Sequence, residues 1–233
     1  MNDAPNPREE VAQRWSAIVP VKSPGNGKSR VIATANGRFA AGPIALAFAL
    51  DTIEAIAACP LVEDVIVISD DESLRADLAK VSASLILESF EVRSRTGHDR
   101  LNAAISQADL VIRRDLPDRA TFAITSDLPA LRTRELAAVL NEAAGCLETH
   151  NSGAYLADAA GTGTSMVTAG PGINLSPMFG SDSAASHLKY GLHPLTTSAP
   201  TVRCDIDTYE DLIAALQRGV GPRTARIVAL ASD

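Results

Sequence analysis

Short apolar segments alternate with segments of helical period along most of the chain. The apolar segments have the length of strands, and each is followed at once by a charged or hydroxyl residue. The predicted strands are residues 15–21, 65–69, 84–87, 121–125 and 202–206. Strands that alternate with helices usually form a mostly parallel sheet with helices on both faces. The hydrophobic pattern therefore predicts a Rossmann-like α/β fold.

The segments between the strands carry apolar residues at helical spacing. Leu46, Leu50, Ile53 and Ala57 recur at i, i+4, i+7 and i+11, so they share one helical face. Further helices are predicted around Leu74, Leu78 and Val81 with Asp70 or Asp71 as cap, after Gly97 with Leu101 and Ile105, after a Thr133 cap with Leu136, Leu140 and Ala143, and after a Thr208 cap with Asp211, Leu212 and Leu216.

Two parts of the chain lack this regular pattern. Residues 1–14 are polar and have no apolar core of a signal peptide, so we expect a disordered N-terminal arm. Residues 145–200 are rich in glycine, proline and serine, and we expect an insertion of short strands and loops with one helix near 183–190. No repeat or linker divides residues 15–233, which we interpret as a single domain.

The composition excludes several classes of function. The formal net charge is −7 and aromatic residues make up 4% of the chain, so the basic surface and stacking platforms of nucleic-acid-binding proteins are missing. No apolar run approaches the roughly 20 residues that cross a bilayer, and no membrane partner is expected. The three cysteines are scattered and the four histidines show no zinc spacing, which favours reduced thiols and a cytoplasmic location.

The loop after the first strand, residues 22–30, has the composition of a phosphate-binding loop. Its glycines allow tight turns that point N–H groups at an anion, and Lys22, Lys28 and Arg30 supply positive charge. In open α/β sheets ligands bind beyond the carboxyl ends of the strands, where this loop would lie. An ordinary surface loop is the alternative. The GKS tail suggests a P-loop, but that motif requires glycine at the position of Lys22.

Acidic residues end two of the predicted strands. Asp127 follows the fourth strand, and Asp205 and Asp207 lie at the end of the fifth. Side chains two residues apart on a strand point to the same side, so Asp205 and Asp207 can converge on one cation. Alternatively, Asp127 only forms a turn and Asp207 only caps the next helix. Three acidic residues at strand ends favour a Mg²⁺ site over three coincidental caps.

Two later segments offer groups that bind anions. The GTGTS segment at 161–165 supplies backbone N–H groups and hydroxyls with little bulk. FGSDS at 179–183 leads into the short predicted helix, whose N-terminus suits an anion, although Ser183 can also be a simple N-cap. His187 is interpreted as a packed or hydrogen-bonded residue, because no nucleophile is next to it in sequence.

Taken together, these segments resemble one enzyme family. The elements that carry the resemblance are VPVK at 19–22 with KSR at 28–30, RLNAAI at 100–105, SDLPAL at 126–131, GTGTS at 161–165, FGSDSAASH at 179–187 and CDIDTYEDL at 204–212. In this order they are similar to the guanylyltransferases of deazaflavin-coenzyme biosynthesis, which act on 2-phospho-L-lactate, phosphoenolpyruvate or 3-phospho-D-glycerate. The resemblance implies a nucleotide-diphospho-sugar-transferase-like sheet, which enzymes of molybdenum-cofactor synthesis share.

The resemblance also implies a set of site residues. Mg²⁺ would be held by Asp127, Asp205 and Asp207. GTP would be held by Lys22, Lys28, Arg30 and Asn102, and Lys28 would also take part in catalysis. The phosphate and carboxylate of the acceptor would be held by Thr162, Thr164, Gly180 and Ser183. The chain departs from the family pattern at Val31, at Arg100 and in the DAA segment before GTGT, which bears on the guanine contacts and the choice of acceptor.

We therefore expect transfer of GMP from GTP to a phosphorylated three-carbon acid, with Mg²⁺ as cofactor and release of pyrophosphate. An acceptor with an added hydroxyl would need a further polar partner, for which Asn174, Ser181 and His187 are candidates. A homodimer is consistent with the sequence, although no residue pattern argues for it. The alternatives are a nucleotidyltransferase of the nucleotide-sugar or molybdenum-cofactor type, a P-loop kinase or NTPase, and a catalytically silent nucleotide-sensing module.

Overall fold

The computed structural model describes residues 13–23, 31, 33, 35, 39–150 and 152–231. The predicted N-terminal arm, apart from its last two residues, lies outside the described residues, as do Lys28 and Arg30. The described chain forms one seven-stranded sheet. Its strands are β1 (Trp15–Pro20), β2 (Val62–Ser69), β3 (Ala83–Leu87), β4 (Ala120–Ile124), β5 (Ala154–Ala157), β6 (Thr164–Ala169) and β7 (His193–Pro194).

Helices connect most of these strands. They are α1 (Ala41–Ala57), α2 (Arg75–Ala79), α3 (Phe90–Arg93), α4 (Gly97–Asp115), α5 (Thr133–His150), α6 (Ser183–Tyr190), α7 (Tyr209–Arg218) and α8 (Pro222–Leu230), and a 3₁₀ turn (Glu72–Leu74) precedes α2. No helix among the described residues is long and apolar enough to cross a membrane.

The strand order is β3-β2-β1-β4-β6-β5-β7. The first four of these strands are parallel, whereas β6 is antiparallel to both β4 and β5, and β7 is parallel to β5. The sheet is therefore mostly parallel, as predicted. Because β6 is reversed, its amino end lies at the edge of the sheet where β4 and its parallel neighbours have their carboxyl ends.

Apolar side chains cover both faces of the sheet. Successive strand residues point to opposite faces, so Val19 joins the core cluster shared with α1 and α5, and Ile18 joins the cluster shared with α4 and α6. Leu50 and Ile53 of α1 are buried in the first cluster, and Ile105 of α4 is buried in the second. The helical faces predicted from residue spacing are the faces that pack on the sheet.

The strand predicted at 202–206 is absent, and this prediction was wrong. The segment makes single backbone contacts on its two sides: Ile206 N–H donates to the carbonyl of Asp127 (3.1 Å), and Ala159 N–H donates to the carbonyl of Arg203 (3.0 Å). A strand needs a repeating ladder with one neighbour. The apolar residues of 202–206 are instead buried by side-chain packing, since Val202 and Ile206 are fully enclosed.

Residues 145–200 are more regular than their composition predicts. Residues up to 150 continue α5, and β5 and β6 belong to the main sheet rather than to a covering insertion. The short predicted helix is α6. Thr133 is the first residue of α5, and its hydroxyl donates to the carbonyl of Ala55 (3.3 Å). Before α2, the predicted acidic cap is Asp71, whose side chain accepts from Ser73 N–H (2.9 Å).

Candidate active site

A cavity of about 640 Å³ lies over the carboxyl ends of the parallel strands. Each of these strands is followed by a charged residue that lines the cavity: Lys22 after β1, Asp70 after β2, Glu88 after β3 and Asp127 after β4. Asp207 joins them from the segment before α7. The cavity therefore lies where ligands bind in open α/β sheets, and its wall carries charges of both signs.

Asp127, Asp205 and Asp207 form an acidic cluster. The backbone bond from Ile206 N–H to the carbonyl of Asp127 (3.1 Å) ties the two chain segments together. Burial, and then the negative charges of Asp127, Asp207 and Asp158, raise the pKa of Asp205 from 3.8 to about 7. The three carboxylates predicted to hold a metal ion therefore share one electrostatic environment.

Thr208 and Asp211 cap the start of α7. Asp211 N–H donates to the hydroxyl oxygen of Thr208 (3.2 Å), and Thr208 N–H donates to the carboxylate of Asp211 (2.8 Å). This is the reciprocal capping box that the sequence predicted. Asp207, directly before this capping box, donates its N–H to Asp211 (3.1 Å) and lines the cavity.

The acidic cluster fits a partial site for a divalent cation. No three His, Cys, Asp or Glu side chains within the described residues form a complete metal site. Mg²⁺, however, is usually bound by one or two carboxylates together with water and the phosphates of a substrate. The raised pKa of Asp205 shows that burial and like charges oppose its ionisation, and a divalent cation would offset that cost.

Lys22 is the loop cation that the structure describes. Its exposed side chain lines the cavity. The neighbouring Ser23 donates its hydroxyl to Asp70 Oδ1 (2.5 Å), which fixes the start of the loop against the end of β2. The predicted contacts of Lys28 and Arg30 with phosphates fall outside the described residues and stay predictions.

The residues predicted to bind the acceptor lie together beside β4. Thr164 begins β6 and Ser183 begins α6, and both are buried. Ala184 N–H donates to the carbonyl of Thr162 (3.1 Å), which joins the loop before β6 to the N-terminus of α6. The N-cap position is Asp182 rather than Ser183, and Asp182 has a left-handed backbone with φ of 53°. We call this group of segments, 161–164 and 179–183, the acceptor end.

Two glycines of the acceptor end have close side-chain neighbours. A Cβ atom at Gly163 would lie 2.3 Å from Asp158 Oδ2. At Gly180 it would lie 2.9 Å from His98 Nδ1, and Gly180 also has a φ of +144°, which other residues rarely adopt. The predicted position Gly180 therefore has a backbone reason to be glycine, independent of any ligand.

His187 is fully buried behind the acceptor end. Met178 N–H donates to Nε2 (3.0 Å), so Nε2 carries no proton and the neutral ring is protonated at Nδ1. Nδ1–H then donates to the hydroxyl of Thr164 (3.0 Å). Burial lowers the pKa of His187 to about 4, against a smaller opposing effect of the backbone at Ser183. Because both ring nitrogens are engaged, His187 is not the extra polar partner for an acceptor hydroxyl that we considered.

Asn102 has a structural contact that the sequence did not reveal. Its amide nitrogen donates to the carbonyl of Phe179 (3.1 Å), and its amide oxygen accepts from Phe179 N–H (2.9 Å). These bonds hold the backbone before Gly180 against α4, and Phe179 lines the cavity. The predicted contact of Asn102 with the nucleoside stays a prediction.

Sequence reasoning missed a charged network in the cavity wall. Arg100 donates from Nε to Glu88 Oε2 (2.7 Å) and from Nη2 to Asp70 Oδ2 (2.6 Å). Burial would raise the pKa of Asp70, but hydrogen bonds from Ser23 and Arg100 and the charge of Arg100 lower it below its ordinary value. The strand-end rule that identified Asp127 could also have identified Asp70 and Glu88, since each follows a predicted strand directly.

Relatives in other organisms cover almost the whole chain. The chain is 42% identical over 217 residues to the phosphoenolpyruvate guanylyltransferase of Streptomyces coelicolor, a match that spans 93% of this chain and 96% of that protein. It is 37% identical over 225 residues to the phosphoenolpyruvate guanylyltransferase of Salinispora arenicola, spanning 95% and 97% of the two chains. No family model matches.

Solved structures share the fold at low sequence identity. A nucleotide-diphospho-sugar transferase structure from Desulfovibrio desulfuricans has a TM-score of 0.61 and 15% identity, covering 94% of this chain and 96% of that one. A nucleotidyl transferase from Methanothermobacter has a TM-score of 0.56 and 15% identity, covering 88% and 98%. At this identity the likeness establishes the sheet topology, in agreement with the predicted fold.

Proposed function

The chain belongs to the phosphoenolpyruvate guanylyltransferase family, and we propose that it transfers GMP from GTP to phosphoenolpyruvate or a closely related phosphorylated three-carbon acid. One observation carries the proposal. Three groups of residues follow one another along a single edge of the sheet, in the strand order β1-β4-β6. They are the loop after β1 with Lys22, the acidic cluster after β4 and the acceptor end at β6. Two anionic substrates bound at the outer positions would meet at the acidic cluster.

The reaction requires little proton chemistry from the protein. An oxygen of the acceptor's phosphate attacks the α-phosphorus of GTP, a new P–O bond forms, and the bond to the bridging oxygen breaks as pyrophosphate leaves with the electron pair. The attacking oxygen is already anionic, so catalysis consists of positioning and charge stabilisation. Lys22 would meet the nucleotide phosphates, and we assign Lys28 and Arg30 of the same loop to the same role.

Asp127, Asp205 and Asp207 are the residues that would hold Mg²⁺. When bound, the ion supplies positive charge that offsets the repulsion between the two substrates and orients the phosphates for in-line attack. The hydroxyl of Thr164 and the N-terminus of α6 at Ser183 would hold the acceptor's phosphate and carboxylate. These roles agree with the positions of the side chains at one edge of the sheet.

Phosphoenolpyruvate is the acceptor that we place first, because the relatives described above carry that name. The acceptor end presents hydroxyls and N–H groups, and such groups discriminate poorly over a methyl group, which is worth about 1–3 kcal/mol in a pocket. We therefore expect measurable activity on 2-phospholactate or 3-phosphoglycerate as well. We assign the reaction to deazaflavin-coenzyme biosynthesis, and the free thiols of Cys59, Cys146 and Cys204 support a reducing, cytoplasmic location.

A product assay tests the proposal. The full chain is incubated with GTP, Mg²⁺ and each acid, and mass spectrometry identifies the guanylylated product while a coupled assay measures pyrophosphate. Asp127→Asn and Asp205→Asn should each lower turnover by at least about a hundredfold, the scale on which a key electrostatic contact acts. Asp115→Asn is the control, because Asp115 is exposed on the surface and pairs with its exposed neighbour Arg114.

The outcomes separate the alternatives. Turnover of sugar phosphates or molybdopterin, with none of the three acids, would reject the assignment in favour of another nucleotidyltransferase. The absence of pyrophosphate release with every acceptor would indicate a silent nucleotide-sensing module. Near-normal activity of both aspartate variants, in folded protein, would remove the metal assignment but leave the reaction intact.

A further inference from the structure

The network around Arg100 lies at the end of the cavity beyond β2 and β3. Arg100 holds Glu88 through Oε2 (2.7 Å) and Asp70 through Oδ2 (2.6 Å), and Ser23 occupies the other oxygen of Asp70 (2.5 Å). The side chain of Glu88 is only 11% exposed. Charged groups held by several hydrogen bonds keep a fixed orientation, which suits them for recognition.

Two polar atoms of this network are available to a ligand. Within the described residues, Glu88 Oε1 accepts no hydrogen bond and Arg100 Nη1 donates none, whereas both oxygens of Asp70 are engaged. Glu88 and Arg100 both line the cavity. The cavity wall therefore offers one anionic acceptor next to one cationic donor.

The sheet order places this end of the cavity where a nucleobase would lie. The triphosphate must approach the acidic cluster at β4, because the acceptor end lies beyond it at β6. The nucleoside then extends the other way, across β1 towards β2 and β3. Ala45, Ala49 and Gly97 also line the cavity, and residues of this small size leave room for a flat ring.

We propose that Glu88 and Arg100 select guanine by its Watson–Crick edge. Arg100 Nη1 donates to guanine O6, and Glu88 Oε1 accepts from N1–H and the 2-amino group. Adenine has an amino donor where guanine has O6 and an acceptor, N1, where guanine has N1–H. Arg100 would then face a second donor, and Glu88 would face a second acceptor. A site whose buried polar groups are left unpaired rejects the wrong ligand strongly. Asp70 is a positioning residue, because it orients Arg100 from the side.

This inference rests on the proposed function, in which the nucleotide is GTP, and equilibrium binding without an acceptor tests it separately. Isothermal titration calorimetry measures the affinity of the full chain for GTP, ITP and ATP in the presence of Mg²⁺. In the unmodified protein, ITP, which lacks the 2-amino group, should bind about 5- to 20-fold more weakly than GTP, and ATP at least about 100-fold more weakly.

Glu88→Gln keeps the shape of the side chain and removes its charge. The GTP-to-ATP affinity ratio should fall at least about tenfold, and the GTP-to-ITP ratio should approach one. Arg100→Lys keeps the charge but not the planar fork, and it should also lower the GTP-to-ATP ratio. Glu72→Gln is the matched control, because Glu72 is an exposed carboxylate paired with Arg75, neither of them lines the cavity, and it should keep all ratios. Thermal unfolding confirms that each variant is folded.

Unchanged ratios in folded Glu88→Gln would overturn the proposal, as would equal affinity of the unmodified protein for GTP and ATP. A uniform loss of affinity for all three nucleotides would show that Glu88 only shapes the cavity, and this too would overturn it. If the ratios shift as expected but none of the acids is guanylylated, base selection stands and the proposed acceptor class fails.

Discussion

Replacement of His187 by phenylalanine tests the support of the acceptor end. The imidazole is stacked on Tyr155, with ring centroids 5.6 Å apart, and meets Phe179 edge-on at 5.9 Å. A phenyl ring keeps both contacts but has no nitrogen. Met178 N–H and the hydroxyl of Thr164 therefore lose the partners that they have at 3.0 Å in the native protein.

The cost follows from these two lost hydrogen bonds. A buried polar group without a partner costs about 1–3 kcal/mol. Thr164 is buried and Met178 is partly buried, so we expect His187→Phe to lower the free energy of unfolding by about 2–4 kcal/mol. For a chain of this size the melting temperature would fall by about 5–15 °C. The double variant His187→Phe/Thr164→Val should lose less stability than the sum of the losses of the two single variants, because both substitutions remove the same hydrogen bond between Thr164 and His187.

The pH dependence gives a second, independent signature. Burial lowers the pKa of His187 from 6.5 to about 4, so between these values the unfolded chain binds a proton that the native protein does not. The contribution of neutral His187 to the free energy of unfolding is complete above pH 6.5. It is lost as the pH falls towards 4, by about 1.4 kcal/mol per pH unit. Urea unfolding should therefore show the stabilities of the wild type and His187→Phe converging as the pH falls from 7 to 4.

Kinetics connect this support to binding. We expect His187→Phe to raise the KM for the acceptor at least about fivefold, since about 1 kcal/mol of binding free energy corresponds to that factor, and to leave the KM for GTP nearly unchanged. If His187→Phe shows the expected fall in melting temperature but a normal KM for the acceptor, the role of His187 in positioning the acceptor end is refuted. A stability difference that does not change between pH 7 and pH 4 would refute the assignment of a neutral, buried ring.

Three further predictions concern other side-chain contacts. Asp51→Asn should lower the free energy of unfolding by about 2 kcal/mol in urea titrations without loss of activity, because the buried carboxylate of Asp51 accepts from the N–H of Thr224 (2.8 Å) and anchors the start of α8. Burial alone would raise the pKa of Glu142, but hydrogen bonds from Thr197 and Thr196 lower it from 4.5 to about 2. Glu142→Gln should therefore destabilise the protein above pH 4.5. The difference in stability between the variant and the wild type should vanish as the pH falls to about 2. Ser183→Ala should raise the KM for the acceptor and not that for GTP, and the opposite pattern in steady-state kinetics would place the two substrates the other way round.

The sequence predicted the site best where a residue follows directly from a buried strand. Asp127 and Lys22 come after strands that are apolar along most of their length, so local pattern is enough to place them at the carboxyl edge. The strand prediction failed at 202–206, because a strand depends on a partner with free backbone groups, and no residue within the segment shows whether one is available. Asp207, which directly follows this segment, nevertheless lies at the predicted edge, since it lines the cavity.

The contacts that sequence reasoning missed join residues far apart in the chain. Arg100 meets Asp70 and Glu88 across separations of 30 and 12 residues, and Asn102 meets Phe179 across 77. Spacing along a helix shows which residues share a face, but not what that face meets. The expectation that His187 is packed or hydrogen-bonded was confirmed. Its partners Thr164 and Met178 could not be identified from the sequence, because they too lie on other segments of the chain.

The reversal of β6 would let one edge of the sheet serve the two anionic substrates of the proposed reaction. In a fully parallel sheet each strand reaches this edge with its carboxyl end, so every loop there leaves a strand. Because β6 is antiparallel to β4, the 161–164 loop enters its strand at this edge, and Thr125 N–H donates to the carbonyl of Ser165 (3.1 Å), two residues before Asp127. The acceptor end is thus fixed to β4 by the sheet ladder itself. A parallel β6 would place Thr164 at the opposite edge, more than ten ångströms from the acidic cluster given a rise of about 3.3 Å per strand residue, and the two substrates would not meet.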